Sequence, residues 1–120
     1  MIEEEIRRMV PPGTIIPKPD AKADFKVKGW GRRRGENALI YFVPNHKNPR
    51  DPYERGITES EWEQAYQQIK RNGKFSRTWF EQNMEACNKE GGCNFTTIGG
   101  IFKLLGLAYY ERSVYKMIKM

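Results

Sequence analysis

The stretch 57–106 constrains the fold most, because three helix signals follow one another within it. The first signal is the strongest. Thr58 and Glu61 stand at the spacing of a capping box, in which each side chain accepts a hydrogen bond from the other residue's backbone N–H. From Trp62 onward apolar residues recur every three or four positions, and Gly73 supplies a left-handed stop. The pattern predicts an amphipathic helix between Thr58 and Gly73.

Two more helices are predicted after it. One covers 76–87 with Ser76 as its N-cap, and the other opens at Thr96 or Thr97 and ends at Gly106. Each carries an apolar stripe at helical spacing, and stripes this close in sequence need one another for burial. We therefore predict a three-helix unit over the whole stretch, with a shared core of Trp62, Tyr66, Ile69, Trp79, Phe80, Ile98, Ile101, Phe102 and Leu105.

The remaining segments complete an α+β fold. Residues 1–23 predict a short N-terminal helix and an extended connector, with a brief strand at 14–16. Over 24–43 the hydrophobic period changes to two, which predicts a basic hairpin whose second strand is buried on both faces. The segment 44–56 holds three prolines and is predicted as a loop, and 107–120 predicts C-terminal strands. We expect the hairpin and the C-terminal strands to form one small antiparallel sheet packed on the three-helix unit.

Length and composition limit the class of protein. With 120 residues and 38% hydrophobic content, 1–120 is sized for a single domain whose core needs neither disulfide nor metal. No apolar run approaches the roughly 20 residues of a membrane span. The N-terminus carries Glu3, Glu4 and Glu5, which is too acidic for a signal peptide. We therefore expect a cytoplasmic protein with no membrane contact.

The charge balance is basic, with 21 Lys and Arg against 15 Asp and Glu and a formal net charge of +6. A well-solvated surface also explains such a total, so the position of the charge matters more. Three arginines in a row occupy the hairpin tip between glycines. Arginine forks match phosphate oxygens, although a charged tip also serves only to keep a sheet edge soluble. The nucleic-acid contacts predicted here are Lys26, Lys28, Trp30, Arg32, Arg33 and Arg34. As exposed charges the tip arginines should contribute little to stability.

The end of the chain carries a family resemblance. A Thr-Ile pair, Thr97-Ile98, opens the third helix, aliphatic residues follow at helical spacing, and Gly106 leads into a short apolar strand that ends in charge. With the helix before it, this segment, 75–112, resembles the recognition helix and first wing strand of bacterial winged-helix regulators. The resemblance implies a winged-helix-like fold. It adds the predicted nucleic-acid contacts Thr97, Lys103, Arg112 and Lys116. Alternatively, the last hairpin only closes the sheet.

The third helix also predicts how such contacts would be made. Its exposed face is expected to offer Thr97, Gly100 and Lys103 rather than the Arg, Asn or Gln that read base edges well. Backbone contacts are therefore expected over sequence readout. Gly99 and Gly100 lower helix stability by about 1 kcal/mol each relative to alanine. They predict that another backbone, either DNA or a neighbouring element, passes close to this helix.

Little in the chain indicates catalysis. His46 is the only histidine, and nothing near it in sequence supplies a nucleophile, a paired carboxylate or a metal cluster at useful spacing. Cys87 and Cys93 with one histidine cannot complete a four-ligand zinc site in one protomer, so we interpret both as small buried thiols. No glycine-rich phosphate loop is recognisable. We expect no enzymatic activity, no metal and no cofactor.

The predicted function is binding of DNA or RNA through the phosphate backbone, without catalysis. The alternative is a protein-interaction or accessory module whose basic surface binds an acidic partner. The whole chain also resembles small proteins carried on bacterial mobile elements, including integron cassettes, and this likeness implies no mechanism. Formation of a homodimer is left open.

Overall fold

Two antiparallel sheets and five helices make up residues 1–19 and 23–118, the part of the chain described by the computed structural model. The fold is α+β, as predicted. In chain order the elements are α1 (Ile2–Met9), β1 (Ile15–Ile16), β2 (Phe25–Arg33), β3 (Glu36–Val43), β4 (Tyr53–Thr58), α2 (Glu59–Asn72), β5 (Lys74–Ser76), α3 (Arg77–Asn83), α4 (Glu85–Glu90), α5 (Asn94–Leu104), β6 (Ala108–Glu111) and β7 (Val114–Met117). The short N-terminal helix, the brief first strand and the basic hairpin are confirmed.

The first sheet is a four-stranded antiparallel half-barrel with the order β1-β2-β3-β4. Its inner strand β3 buries Ala38, Leu39, Ile40 and Tyr41, which confirms a strand that is apolar on both faces. Strand β4 pairs with β3 along its whole length. The prediction of a loop over 44–56 is therefore wrong for its last part. The prolines and charged residues give this segment no strand pattern in the sequence, and it becomes a regular strand only by pairing with β3.

The second sheet is separate and has the order β5-β7-β6. The prediction that the hairpin and the C-terminal strands share one sheet is wrong. The C-terminal strands pair instead with β5, a three-residue strand between two helices. A segment this short shows no hydrophobic period, so pairing alone defines it. Its central residue, Phe75, is fully buried in the core.

Helix α2 begins as predicted. Thr58 Oγ1 accepts from the Glu61 N–H at 3.2 Å, and Glu61 Oε1 accepts from the Thr58 N–H at 2.9 Å. Gly73 ends the helix in the left-handed conformation with φ 77°. The capping box and the left-handed stop are both confirmed.

The other two predicted helices have different boundaries. The helix predicted over 76–87 breaks at Met84, where φ is −123° and ψ is 54°, and so becomes α3 and α4. The last helix starts at Asn94, earlier than Thr96 or Thr97. The buried Asn94 side chain accepts from the Tyr41 hydroxyl at 2.5 Å and donates to a backbone carbonyl of α4 at 2.9 Å. These tertiary hydrogen bonds determine where the helix starts, and no local sequence pattern predicts them.

One hydrophobic core joins the described elements, with members from Ile2 to Tyr115. The predicted helical core is confirmed in full for Trp62, Ile69, Phe80, Ile98, Ile101 and Phe102, which are all completely buried. Tyr66, Trp79 and Leu105 are partly buried and pack against this core. None of the helices in the described ranges combines the length and the apolar character needed to cross a membrane.

Two neighbouring segments approach helix α5 so closely that its two glycines leave no room for a side chain. A Cβ built on Gly99 would overlap the ring of Tyr115 from β7, and one built on Gly100 would overlap the carbonyl oxygen of Pro17. The close backbone expected beside these glycines is therefore the segment after β1, at Gly100, whereas the neighbour of Gly99 is a side chain of the second sheet. Side chains at either position would push the helix away from one of them.

Replacing Gly100 by alanine should test this packing. We expect Gly100→Ala to lower the free energy of unfolding by about 2 kcal/mol or more, because overpacking against a backbone carbonyl outweighs the gain of about 1 kcal/mol in helix propensity. Gly92→Ala is the matched control, since its Cβ would meet nothing closer than 3.6 Å. Urea denaturation of both variants measures the difference, and equal midpoints would contradict the close approach.

Candidate nucleic-acid interface

The hairpin tip turns tightly through Arg34 and Gly35, which both have positive φ, at 49° and 77°. Arg33 and Glu36 are paired immediately before and after this turn. Two positive φ angles are typical of two-residue connections whose twist matches the flanking strands. The turn therefore fixes the points from which the arginine side chains leave the backbone.

Arg34 is held by two carboxylates. Its guanidinium donates to both oxygens of Glu61, at 2.6 and 3.0 Å, to Glu90, and to the Gly56 carbonyl at 3.1 Å. The side chains of Glu61 and Glu90 are only 12% and 16% exposed. Burial by itself lowers the pKa of Arg34, but its hydrogen bonds with Glu61 and Glu90 outweigh that effect and raise the pKa above its usual value. Arg34 thus ties the hairpin to the start of α2 and the end of α4.

Arg33 shares one of these carboxylates. Its Nε donates to Glu90 Oε2 at 3.1 Å, and the same oxygen accepts from the Gly56 N–H at 2.8 Å. Arg32 is exposed and has no carboxylate partner among residues 1–19 and 23–118. The prediction of a protruding three-arginine tip is therefore wrong for Arg33 and Arg34, because their charges are neutralised within the fold.

The other residues of the hairpin that were predicted to contact nucleic acid differ in exposure and in whether a carboxylate offsets their charge. Lys28 donates to Glu54 Oε1 at 3.0 Å, so a carboxylate from β4 offsets its charge. Trp30 is half-buried, and a guanidinium from α1 lies 3.9 Å from its ring centroid. Lys26 is exposed. Within the described part of the hairpin, Lys26 and Arg32 are the predicted cations that remain exposed without a carboxylate partner.

The residues of α5 and the C-terminal strands that were predicted to contact nucleic acid differ in their exposure and in their partners. Thr97 is completely buried and lies beside Tyr41 of β3, so the expectation that it lies on the exposed face of the helix and can contact nucleic acid is wrong. Lys103 is exposed at the end of α5. Arg112 is exposed in the β6–β7 turn with φ 51°. Lys116 donates to Glu111 at 2.8 Å within the same hairpin.

The fold gathers a different set of cations in a cleft between α5, the β6–β7 hairpin, the start of α3 and the segment after β1. We call it the basic cleft, and its volume is about 540 Å³. It is lined by Lys18, Pro19, Arg77, Cys93, Phe95, Thr96, Tyr110 and Ser113. These described lining residues include two cations and no carboxylate. Such a concave surface favours anions.

Lys18 and Arg77 supply the charge of the basic cleft. The Lys18 ammonium lies 3.3 Å from the ring centroid of Phe25, and burial lowers its pKa below the ordinary value. The Arg77 guanidinium lies 4.7 Å from the ring centroid of Phe95 and donates to the Gly92 carbonyl at 3.1 Å. Neither makes an ion pair in the part of the chain that the structure describes. An anion bound between them would supply the missing countercharge.

Sequence reasoning missed both of these cations, since they are far apart in the chain and belong to no motif. The prolines beside Lys18 predict an extended backbone but not the direction of its side chain. Two predicted residues lie near this site without lining the cleft itself. Lys103 lines a small pocket of about 20 Å³ that shares Lys18, Pro19 and Tyr110 with the cleft, and Arg112 directly precedes the lining residue Ser113.

The two cysteines have different environments. Cys87 is completely buried, as predicted. Cys93 is half-buried and lines the basic cleft, with its Sγ 3.2 Å from the Tyr41 hydroxyl oxygen. The prediction of two buried thiols is therefore wrong for Cys93, because the N-terminal end of α5 opens onto the cleft.

Groups with catalytic or metal-binding chemistry are scattered in the structure. His46 is exposed in the loop before β4. Within residues 1–19 and 23–118 no group of three or more His, Cys, Asp or Glu is placed to hold a metal ion. Comparison of the chain with known protein families, with curated proteins and with solved structures gave no significant match.

The two arginines Arg34 and Arg32 should differ in their effect on stability. We expect Arg34→Ala to cost about 2–3 kcal/mol, somewhat less than loss of a fully buried partner, because it leaves the largely buried Glu61 without a cation and Glu90 with Arg33 alone. Arg32→Ala at the same tip should change the free energy of unfolding by no more than about 0.5 kcal/mol. Denaturation of the two variants in urea measures this, and a similar stability for both would refute a structural role for Arg34.

The thiols should differ in reactivity toward a neutral reagent such as N-ethylmaleimide. Cys93 should react first, whereas burial excludes the reagent from Cys87 and raises its pKa, which keeps the thiol protonated. Mass spectrometry of the native protein over time should show one fast modification. That fast phase should vanish in Cys93→Ser and persist in Cys87→Ser, and the opposite pattern would contradict the placement of the two residues.

Proposed function

We propose that this chain is a non-catalytic nucleic-acid-binding module of the cytoplasm that contacts the phosphate backbone chiefly through the basic cleft. The observation that carries the proposal is the convergence of Lys18 and Arg77 on a concave surface whose described lining has no carboxylate. At the hairpin tip, by contrast, Arg33 and Arg34 are already neutralised. A cation that has no carboxylate partner gains more binding free energy from a phosphate than a cation that is already neutralised. Each new phosphate contact also releases counterions from the nucleic acid.

The topology of residues 59–117 supports the same class of function. Apart from the additional short helix α4, α2, β5, α3, α5, β6 and β7 follow in the order helix, strand, helix, helix, strand, strand, and the sheet order is β5-β7-β6. This arrangement fits the resemblance to winged-helix regulators. In that interpretation α5 takes the place of the recognition helix and the β6–β7 hairpin takes the place of the wing.

The cover over α5 determines which contacts this proposal includes. Pro17 and Tyr115 occupy two sides of the helix, so α5 cannot lie in a major groove as a recognition helix does. The proposed contacts are therefore the two cleft cations together with two exposed cations, Lys103 in the small neighbouring pocket and Arg112 next to the lining residue Ser113. These are charged side chains suited to phosphate oxygens, which predicts binding with little dependence on base sequence.

A second candidate is an acidic protein partner on the outer face of the second sheet. Lys74 and Tyr109 both lie opposite Lys116 in the strand pairing, so the three side chains form one row. Tyr109 is 42% exposed. An exposed aromatic residue at the end of a row with two lysines is a suitable anchor for such an interface.

Salt dependence should separate the proposed site from the hairpin. The parent protein should bind short oligonucleotides with a log affinity that falls linearly with log salt. The double variant Lys18→Gln, Arg77→Gln should flatten that slope by roughly 1.5 units, since each lost phosphate contact removes about 0.7 to 0.9. Glutamine removes the charge and keeps the first two methylenes of each side chain. Fluorescence anisotropy at several salt concentrations measures both quantities.

The charge-matched control is Lys26→Gln, Arg32→Gln on the hairpin, which should leave the slope nearly unchanged. If the hairpin variant flattens the slope as much as the cleft variant, the basic cleft is not the main contact. If the parent binds no oligonucleotide even at low salt, the proposed function itself is wrong. In that case the row of Lys74, Lys116 and Tyr109 becomes the surface to test.

A further inference from the structure

The shape of the basic cleft limits the form of nucleic acid that can enter it. Its volume of about 540 Å³ is that of a small-molecule pocket, which typically spans roughly 300–1,000 Å³. A duplex is a broad rod with paired and stacked bases, whereas an unpaired strand can insert one nucleotide at a time. The size alone therefore favours a single strand at this site.

We infer that the basic cleft binds single-stranded nucleic acid, with a phosphate between Lys18 and Arg77 and a base against Tyr110. This inference rests on the proposed function. It adds the class of ligand, an unpaired strand, and a residue that contacts the base. Proteins that bind single strands without sequence preference combine a cationic groove with aromatic rings on which bases stack.

Tyr110 is placed for this contact. It lines both the cleft and the small pocket that shares residues with it, and it is half-buried. Its ring packs against Tyr115 in an edge arrangement, with centroids 5.0 Å apart, so the core holds it in place. A base that stacks on a ring already fixed in this way loses less free energy to side-chain ordering.

The β6–β7 turn completes the cleft on one side. Arg112 and Ser113 both have positive φ, at 51° and 68°, which makes the turn tight and places the Ser113 side chain on the cleft wall. Thr96 supplies a second hydroxyl on the side formed by α5. The Ser113 hydroxyl can donate to phosphate or sugar oxygens, which a single strand presents together with its bases. The Thr96 hydroxyl already donates to the Cys93 carbonyl at 3.1 Å, so it can only accept from the ligand.

Binding to matched ligands tests the inference. The probes are a labelled oligothymidylate and an oligouridylate of about 12 nucleotides, within the usual site size of single-strand binders, and a duplex of the same length. At low salt we expect either single strand to bind at least about tenfold more tightly than the duplex. Tyr110→Leu should weaken single-strand binding roughly tenfold, as expected for loss of one stacked base, and should leave duplex binding unchanged.

Tyr109→Leu is the matched control, because Tyr109 is the adjacent residue on the opposite face of the same strand. It should leave single-strand affinity unchanged. A second measurement uses the parent protein alone: the oligothymidylate should slow modification of Cys93 by N-ethylmaleimide, since that thiol lines the cleft. Protection keeps the test informative even where Tyr110→Leu disturbs folding.

The possible outcomes test the proposed function and the single-strand inference separately. Absence of binding to all three probes overturns the proposed function. Duplex binding as tight as single-strand binding overturns this inference and leaves the proposed function standing. Equal losses in Tyr110→Leu and Tyr109→Leu, or unchanged labelling of Cys93 in the presence of bound oligothymidylate, show that the strand lies elsewhere.

Discussion

The structure depends on the close packing of α5 between the segment after β1 and the second sheet. Gly100 allows the Pro17 carbonyl to approach the helix, and Gly99 accommodates the ring of Tyr115. One helix therefore contacts both halves of the fold and closes the core between them. Because Pro17 is held there, the adjacent Lys18 is positioned to line the basic cleft. The packing that completes the core thus also builds the candidate site.

The basic residues fall into two groups whose roles follow from their countercharges. Arg33 and Arg34 donate to carboxylates that are largely buried, so their charges hold the hairpin against two helices. Lys18 and Arg77 lie against aromatic rings, and neither has a carboxylate partner in the described structure. A formal net charge of +6 does not distinguish these groups. Only the positions of the carboxylates do so.

The proposed mode of binding follows from the same packing. A helix that is covered by a strand segment and by a tyrosine cannot present its side chains to base edges. On our proposal, recognition therefore moves from α5 to the cleft beside it and to the β6–β7 hairpin. An aromatic ring and two cations then take the place of a helix that reads base edges in a groove. Such a site binds single-stranded nucleic acid with little sequence specificity.

Local sequence determined the capping box at Thr58, the stop at Gly73, the basic hairpin and the buried strand β3, since each depends on residues a few positions apart. Tertiary structure decided the rest. The start of α5 depends on Asn94 bonding to Tyr41, and β5 exists only because β7 pairs with it. The basic cleft combines residues from four separate segments, and no local period records which distant side chains will meet. Those contacts form only when the chain buries its apolar faces together, because burial then selects the partners.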